Sequence, residues 1–217
     1  MAIRSSKKGN VSYRPAGPSD VRRLTDHRHR MWTAIGHRTE REITAHDRGY
    51  GVWLRPRLRS REVVGFVALG EGRSPVGSGL VWFRPDQPRP GSPKLVTPYI
   101  LSMFTEPAWR GHGIATSIVR RLVSVCREEG YPSVVLHASE EGRSVYARLG
   151  FERTWEMRYW VDPAVRRRRA RWTTRRRRKP RRGWTGRVSR TRSRRTRIRS
   201  RPPPTRATRP RSARSAT

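Results

Sequence analysis

The stretch Glu106–Cys126, EPAWRGHGIATSIVRRLVSVC, sets a turn carrying Arg110, Gly111 and Gly113 directly ahead of apolar residues at helical spacing. Ile114, Ile118, Leu122 and Val125 or Cys126 recur every three to four positions, which predicts an amphipathic helix that Gly130 ends. A helix start exposes backbone N–H groups with no partner inside the helix, and the aligned peptide dipoles place partial positive charge there. Two glycines remove side chains that would hold an anion off this backbone, and Arg110 adds a permanent cation beside it. A diphosphate suits such a turn. A P-loop would need Lys followed by Ser or Thr where Ile114, Ala115 and Thr116 stand. A dinucleotide fingerprint would need a third Gly at the place of Thr116 and glycines tight against a strand, whereas TEPAWR separates strand from glycines here. Glycines that merely make a tight helix entry are the structural alternative.

Outward from this turn, strands and helices follow one another. LVTPYILSMFT, ending at Thr105, reads as a long strand, and RPDQPRPGSPK before it, from Arg84 to Lys94, as an exposed loop. EVVGFVAL and VGSGLVWF, separated by GEGRSPVG, read as a β-hairpin. Further upstream, Val21, Leu24, Met31, Trp32 and Ile35 share one helical stripe behind Ser19 or Asp20 as cap, and a weaker helix from about Thr39 to Leu58 is expected to be interrupted at Gly49 and Gly51. A short strand is expected at Val11 to Arg14. Downstream, SVVLHAS predicts a buried strand, EEGRSVYARL a short helix closed by Gly150, and FERTWEMRYWV a final strand. The expected class is α/β with a mixed sheet, and the sequence carries no internal repeat.

Charge divides the chain. From Arg166 to Thr217 there are 24 Lys and Arg and no Asp or Glu, so this segment carries 24 of the net +35 and leaves +11 for the rest. Trp172, Trp184, Val188 and Ile198 are its only large apolar residues, too few to offset the entropy of ordering it. The expected organisation is a disordered N-terminus over residues 1–10, one domain over 11–162 and a disordered basic low-complexity tail over 163–217. The single cysteine, Cys126, makes no internal disulfide and fits an inert buried thiol, which suggests a reducing cytoplasm. No apolar run approaches the roughly 18 residues of a spanning helix, so membrane insertion is not expected.

The pattern Arg110, two residues, Gly113, one residue, Ala115 resembles the R/Q-x-x-G-x-G/A signature of the GNAT superfamily of acyl-CoA N-acyltransferases. YILSMFTEP ahead of it resembles that family's fourth strand; VVLHAS and YARLGF after it resemble the fifth strand and a helix with a Tyr-x-x-x-Gly-Phe ending. The resemblance runs from Val11 to Val161, and before Leu95 it rests on the order of elements alone. It implies a mixed sheet with helices on both faces, splayed between its fourth and fifth strands, where the pantetheine of acetyl-CoA inserts as a surrogate strand. The backbone of Met103, Phe104 and Thr105 would pair with pantetheine. The N–H groups of Arg110, Gly111, His112, Gly113, Ile114, Ala115 and Thr116 would hold the diphosphate, with the His112 side chain in solvent.

Transfer to an amine needs a neutral nucleophile, a polarised thioester carbonyl and a proton for the departing thiolate. Tyr146 stands at the family position for the last task and, with an ordinary pKa near 10, stays protonated at neutral pH. Glu106, just past the strand, is the candidate to take the amine proton directly or through water. Ser139 is placed to cap the following helix or to face pantetheine, Glu140 and Glu141 are explained by the helix dipole, and His137 shares a strand face with Val135. Six histidines and one cysteine without ligand spacing make no case for a metal. The expected activity is therefore transfer of an acetyl group from acetyl-CoA to a primary amine, on a small molecule or peptide, by direct attack in a ternary complex; acceptor and oligomeric state stay open. The alternative is a nucleic-acid-associated protein whose Arg-rich tail, binding phosphates without sequence preference, tethers a weakly active or inactive domain of this family. The tail also reads as a solvated extension without a role, or as GC-rich DNA translated out of frame.

Overall fold

The structure, a computed structural model, describes residues 10–36, 38–88, 94–157 and Tyr159. Residues 1–9, the middle of the Arg84–Lys94 loop and the basic tail expected from residue 163 lie outside the described residues. Five strands, β1 (Ser12–Pro15), β2 (Val63–Leu69), β3 (Pro75–Pro85), β4 (Val96–Thr105) and β5 (Val135–Leu136), form one sheet in that spatial order. The first four are antiparallel neighbours and β5 lies parallel to β4, so the sheet is mixed. Among the described residues four α-helices stand between and after the strands: α1 (Val21–Ile35) and α2 (Glu40–Arg59) before β2, α3 (Ile114–Glu128) between β4 and β5, and α4 (Arg143–Arg148) after β5.

Alternation along β2 makes the layers. Val63, Val67 and Leu69 join Leu24, Leu54, Leu58 and Leu80 in a cluster under α1 and α2. Ala68 points the other way, with Val76, Val81 and Ile100, into a second cluster under Ile114, Ile118, Val119 and Leu122 of α3. Each fully buried aliphatic side chain contributes about 1.5–3 kcal/mol, so the helical stripe read from the sequence is what fixes α3 to the sheet. Two glycines of β3 set how closely it sits. A Cβ on Gly77 would come within 2.9 Å of Ile114 Cγ2, and one on Gly79 within 2.2 Å of Met103 Sδ.

The structure corrects four expectations. First, α2 runs unbroken through Gly49, Gly51 and even Pro56. It is opened by a capping box in which Thr39 Oγ1 accepts from the Glu42 N–H and the Glu42 carboxylate accepts from the Thr39 N–H. It buries Ile43, Tyr50, Leu54 and Leu58 on one face, and this burial outweighs the penalty of about 1 kcal/mol for each glycine. Second, the strand expected over SVVLHAS shrinks to Val135–Leu136, with Val135 38% exposed, because it pairs only with Tyr99 and Ile100 of β4. Third, residues 151–157 form no strand, and Trp155, Met157 and Tyr159 are exposed; Arg158 and residues from Trp160 lie outside the described residues. Alternating aromatic residues meet the preference for a strand, but among the described residues no neighbouring strand pairs with them. The helix over EEGRSVYARL likewise begins only at Arg143, with Glu140 and Glu141 in the turn before it.

Candidate active site

A short 3-10 turn, Pro107–Trp109, leads from β4 to the glycines. Gly111 takes φ +83° and Gly113 φ +76°, the left-handed region that favours glycine, and Gly113 is the N-cap of α3 with no side-chain capping bond. A Cβ added at either would meet no protein atom within 4 Å. The backbone at the positive end of α3 therefore faces open space, which is the arrangement that admits an anion. Arg110 and His112 are exposed beside it, the His112 ring lying at 3.1 Å from the Arg110 carbonyl through Nδ1 and 6.1 Å from the Trp109 ring. Ile114 is buried and anchors the turn from below, while Ala115 and Thr116 are half-buried. Arg110 Nε also donates to the Thr105 carbonyl, tying the turn to the end of β4.

The strand before it supplies a slot. β4 pairs with β5 only through Tyr99 and Ile100, so from Leu101 to Thr105 the strand edge on that side has no ladder partner among the described residues. Its other edge stays paired to β3 as far as Gly77–Thr105, with an irregularity opposite Ser78 to Leu80. At that irregularity Ser102 takes φ +51°, a strained value for a residue with a side chain, and its hydroxyl meets the Tyr50 hydroxyl of α2 at 3.1 Å. Phe104 turns its side chain inward onto His27, with ring centroids 4.9 Å apart. Burial pushes the His27 pKa down, which keeps its ring neutral against Ser78 Oγ at 2.8 Å. The Thr105 hydroxyl is buried and has no hydrogen-bond partner. An open strand edge fits an amide-bearing chain laid along β4, so the residues present suit the pantetheine arm of acetyl-CoA.

Tyr146 of α4 packs on the α3 side of the sheet, edge-on to Phe151 at 5.8 Å. Burial, with a smaller contribution from the nearby Tyr99, raises its pKa above the usual 10, so it is held as the neutral donor form. Ser139 Oγ accepts from the Gly142 N–H at 3.2 Å, which closes the turn ahead of α4, whose N-cap is Gly142 and not Ser139. His137 lies beyond β5 between the Tyr99 hydroxyl and Glu156, each at 2.6 Å. Glu106 sits at the other end of the slot. Both its oxygens accept from Arg30 of α1, the Nη2–Oε2 contact being 2.5 Å, and the Arg30 guanidinium lies 5.0 Å from the centre of the Phe104 ring. Tyr146 packs with Phe151 in the cluster under α3, whereas Glu106 is paired with Arg30 of α1, so the two sequence candidates lie in different surroundings.

Between α1 and the end of β4, a cleft of about 390 Å³ is lined by His29, Arg30, Thr33, Glu40, Phe104 and Arg110, among others. Its lining carries both signs of charge and so favours no one charge class of acceptor. Among the described residues no group of three His, Cys, Asp or Glu is placed to hold a metal, and no helix is long and apolar enough to cross a membrane. Sequence reasoning missed the Arg30–Glu106 pair and the Tyr50–Ser102 contact, whose partners are 76 and 52 residues apart.

Residues 21–151 match the acetyltransferase (GNAT) family. A GCN5-related N-acetyltransferase from Ralstonia eutropha JMP134 has a similar structure, with a TM-score of 0.65 and 29% identity, covering 70% of this chain and 99% of the other. A predicted acetyltransferase from Clostridium acetobutylicum, solved with acetyl-CoA, gives 0.64 and 28% over 70% of this chain and 96% of that one. A probable glucosamine 6-phosphate N-acetyltransferase 2 from Oryza sativa subsp. japonica is 36% identical over 53 residues, which is 24% of this chain and only 32% of that protein. The fold, the slot beside β4 and the glycine turn thus agree with the match over most of the described residues: the chain belongs to the GNAT family of acetyltransferases, and residues 21–151 are an acyltransferase domain of that family.

Proposed function

We propose that this chain is an N-acetyltransferase that binds acetyl-CoA along β4 and passes its acetyl group directly to a primary amine in a ternary complex. The observation that carries this reading is the junction of two features: the edge of β4 from Leu101 to Thr105, without a ladder partner among the described residues, and the bare, glycine-lined start of α3. Five residues of edge span about 17 Å, room for an extended pantetheine between a diphosphate at α3 and a thioester near Tyr146. The backbone of Met103, Phe104 and Thr105 pairs with the arm. Backbone N–H groups from Arg110 to Thr116 hold the diphosphate, with the Arg110 guanidinium beside it.

Acetyl-CoA supplies an acyl group already activated as a thioester. Tyr146 donates its phenolic proton to the departing sulfur as the C–S bond breaks and the N–C bond forms, and water returns a proton to the phenol. The amine proton leaves to water. Glu106, whose two oxygens both hold Arg30, fixes that arginine at the mouth of the slot and keeps two acceptor positions for water or an ammonium group. Ser139 keeps α4, and with it Tyr146, in place. The test is a panel of amines (amino sugars and their phosphates, aminoglycosides, peptide N-termini, lysine side chains) assayed with acetyl-CoA for thiol release and acetylated product. Amine-dependent thiol release supports the reading; a folded protein that releases thiol with no amine on the panel beyond the background of hydrolysis contradicts it.

A further inference from the structure

The outward face of α2 carries no acidic residue. Arg41, Ala45, Arg48, Val52, Arg55 and Arg59 fall within about 40° of a common line along the helix, and all six are exposed. The ion pairs of this region are made elsewhere on α2, by Glu40 and Asp47 with His29, Glu42 with Arg38 and Arg57 with Glu62. Within α2, each position three or four residues from one of these arginines is Thr44, Ala45, Gly51, Val52, Pro56, Leu58 or another arginine. Arg55 and Arg59 stand four apart as like charges, and Arg41 lies in the first turn, at the positive end of the helix dipole; both placements are destabilising for an isolated helix. Arg48, Arg55 and Arg59 also line a shallow groove together with Val21, Gly51, Val52 and Pro56. Three of the four guanidiniums stand over this groove, Arg55 also donating to the Pro18 carbonyl, and among the described residues no ion pair joins any of the four to a carboxylate, so the face is complementary to an anionic partner.

We infer that the outward face of α2 is a docking surface for the phosphodiester backbone of a nucleic acid, held by Arg41, Arg48, Arg55 and Arg59. The stripe is about 27 Å long, the length of about eight base pairs at 3.4 Å each, and guanidinium forks match phosphate oxygens. Val52 is the only large apolar residue on the stripe, so the face lacks the apolar side that a helix needs to lie in a bilayer. It carries no aromatic ring on which a base would stack, so the contact is to backbone phosphates and independent of sequence. The surface belongs to the folded domain, at residues 41–59, and is distinct in sequence from the basic tail.

The test uses the full chain. Wild type, a quadruple R41Q/R48Q/R55Q/R59Q variant and the matching quadruple Lys variant are titrated with a fluorescent DNA duplex of about 20 base pairs between about 50 and 200 mM salt. Gln and Lys keep helix propensity close to that of Arg, and equal melting temperatures verify that the fold is unchanged. Four phosphate contacts contribute about 3.6 to the slope of log affinity against log salt. The Gln variant is therefore expected to show a slope shallower by about 3.6, so that over this range wild type loses about 100-fold more affinity than the variant; the Lys variant restores the slope. Ultraviolet cross-linking of the wild-type complex should place adducts on peptides of α2. An unchanged slope in the Gln variant overturns the inference, because the tail then accounts for all binding. It is equally overturned if the Gln variant loses affinity for phosphatidylserine vesicles or for polyglutamate while its affinity for the duplex stays that of wild type.

Discussion

Replacing Gly113 by Ala separates the cost of backbone strain from the loss of a bound phosphate. Gly113 holds φ +76°, and a side chain there meets no protein atom within 4 Å, so the folded protein bears only the left-handed strain of about 1–2 kcal/mol. For a chain of this size that lowers the melting temperature by about 2–8 °C. Binding suffers separately, because the new methyl group stands where the diphosphate must touch the N–H groups that start α3. Loss of one charge-assisted hydrogen bond, about 1.5–3 kcal/mol, raises the Kd for CoA by about 10- to 100-fold. Gly113→Asn distinguishes the two effects. Asn tolerates the left-handed region, so its melting temperature should return toward wild type while the defect in CoA binding persists. Thermal unfolding and calorimetric titration of CoA measure both quantities on the same samples, and S-acetylpantetheine, which lacks the diphosphate, should be used equally well by all three proteins. Wild-type CoA affinity in both variants, or an equal loss toward S-acetylpantetheine, would refute the reasoning.

Tyr146→Phe should keep CoA affinity and lose about 10²–10⁴ in turnover, since it removes a proton donor and leaves the ring packed on Phe151; unchanged turnover takes Tyr146 out of the mechanism. His29 donates to Asp47 and faces Glu40, each at 2.7 Å, and the Asp47 hydrogen bond, opposed by partial burial and aided by Glu40, raises its pKa above the ordinary 6.5. Its contribution to stability is therefore complete below that ordinary value and is lost as pH rises through the raised one. Denaturant unfolding of wild type and His29→Gln from about pH 5 to about pH 9 should show a difference that shrinks toward alkaline pH; a constant difference contradicts the assignment. Cys126 is buried, and its burial pushes the thiol pKa up to about 11, so a thiol reagent at neutral pH should react only as the protein unfolds. Rapid labelling of the folded protein would contradict that burial.

What was legible in the sequence is what local chemistry decides. The stripe Ile114, Ile118, Leu122 marked α3 because its spacing maps onto one buried face, and the bare backbone at Gly111 and Gly113 was readable because glycine carries no side chain. Ser102 shows the limit: it takes a positive φ, but a serine in a β-rich run carries no signal of it, and the strain is held by packing from α2. Gly49 and Gly51 read as interruptions because propensity is local, whereas the burial of Tyr50, Leu54 and Leu58 that overrides it depends on a sheet formed later in the chain. The extended readings of SVVLHAS and FERTWEMRYWV failed for the complementary reason. Alternation shows what a strand would bury, but whether a neighbouring strand is there to pair with it is decided elsewhere. Glu106 was found by its place after the strand, yet its engagement with Arg30 had no sequence signal across 76 residues.

The account rests on the start of α3 and the free edge of β4 gripping coenzyme A together. Isothermal titration of the folded full chain with acetyl-CoA tests this most directly. One equivalent should bind with measurable heat, and free CoA should compete for the same site. Absence of heat with both acetyl-CoA and CoA, on protein whose cooperative unfolding has been verified, would contradict the central claim.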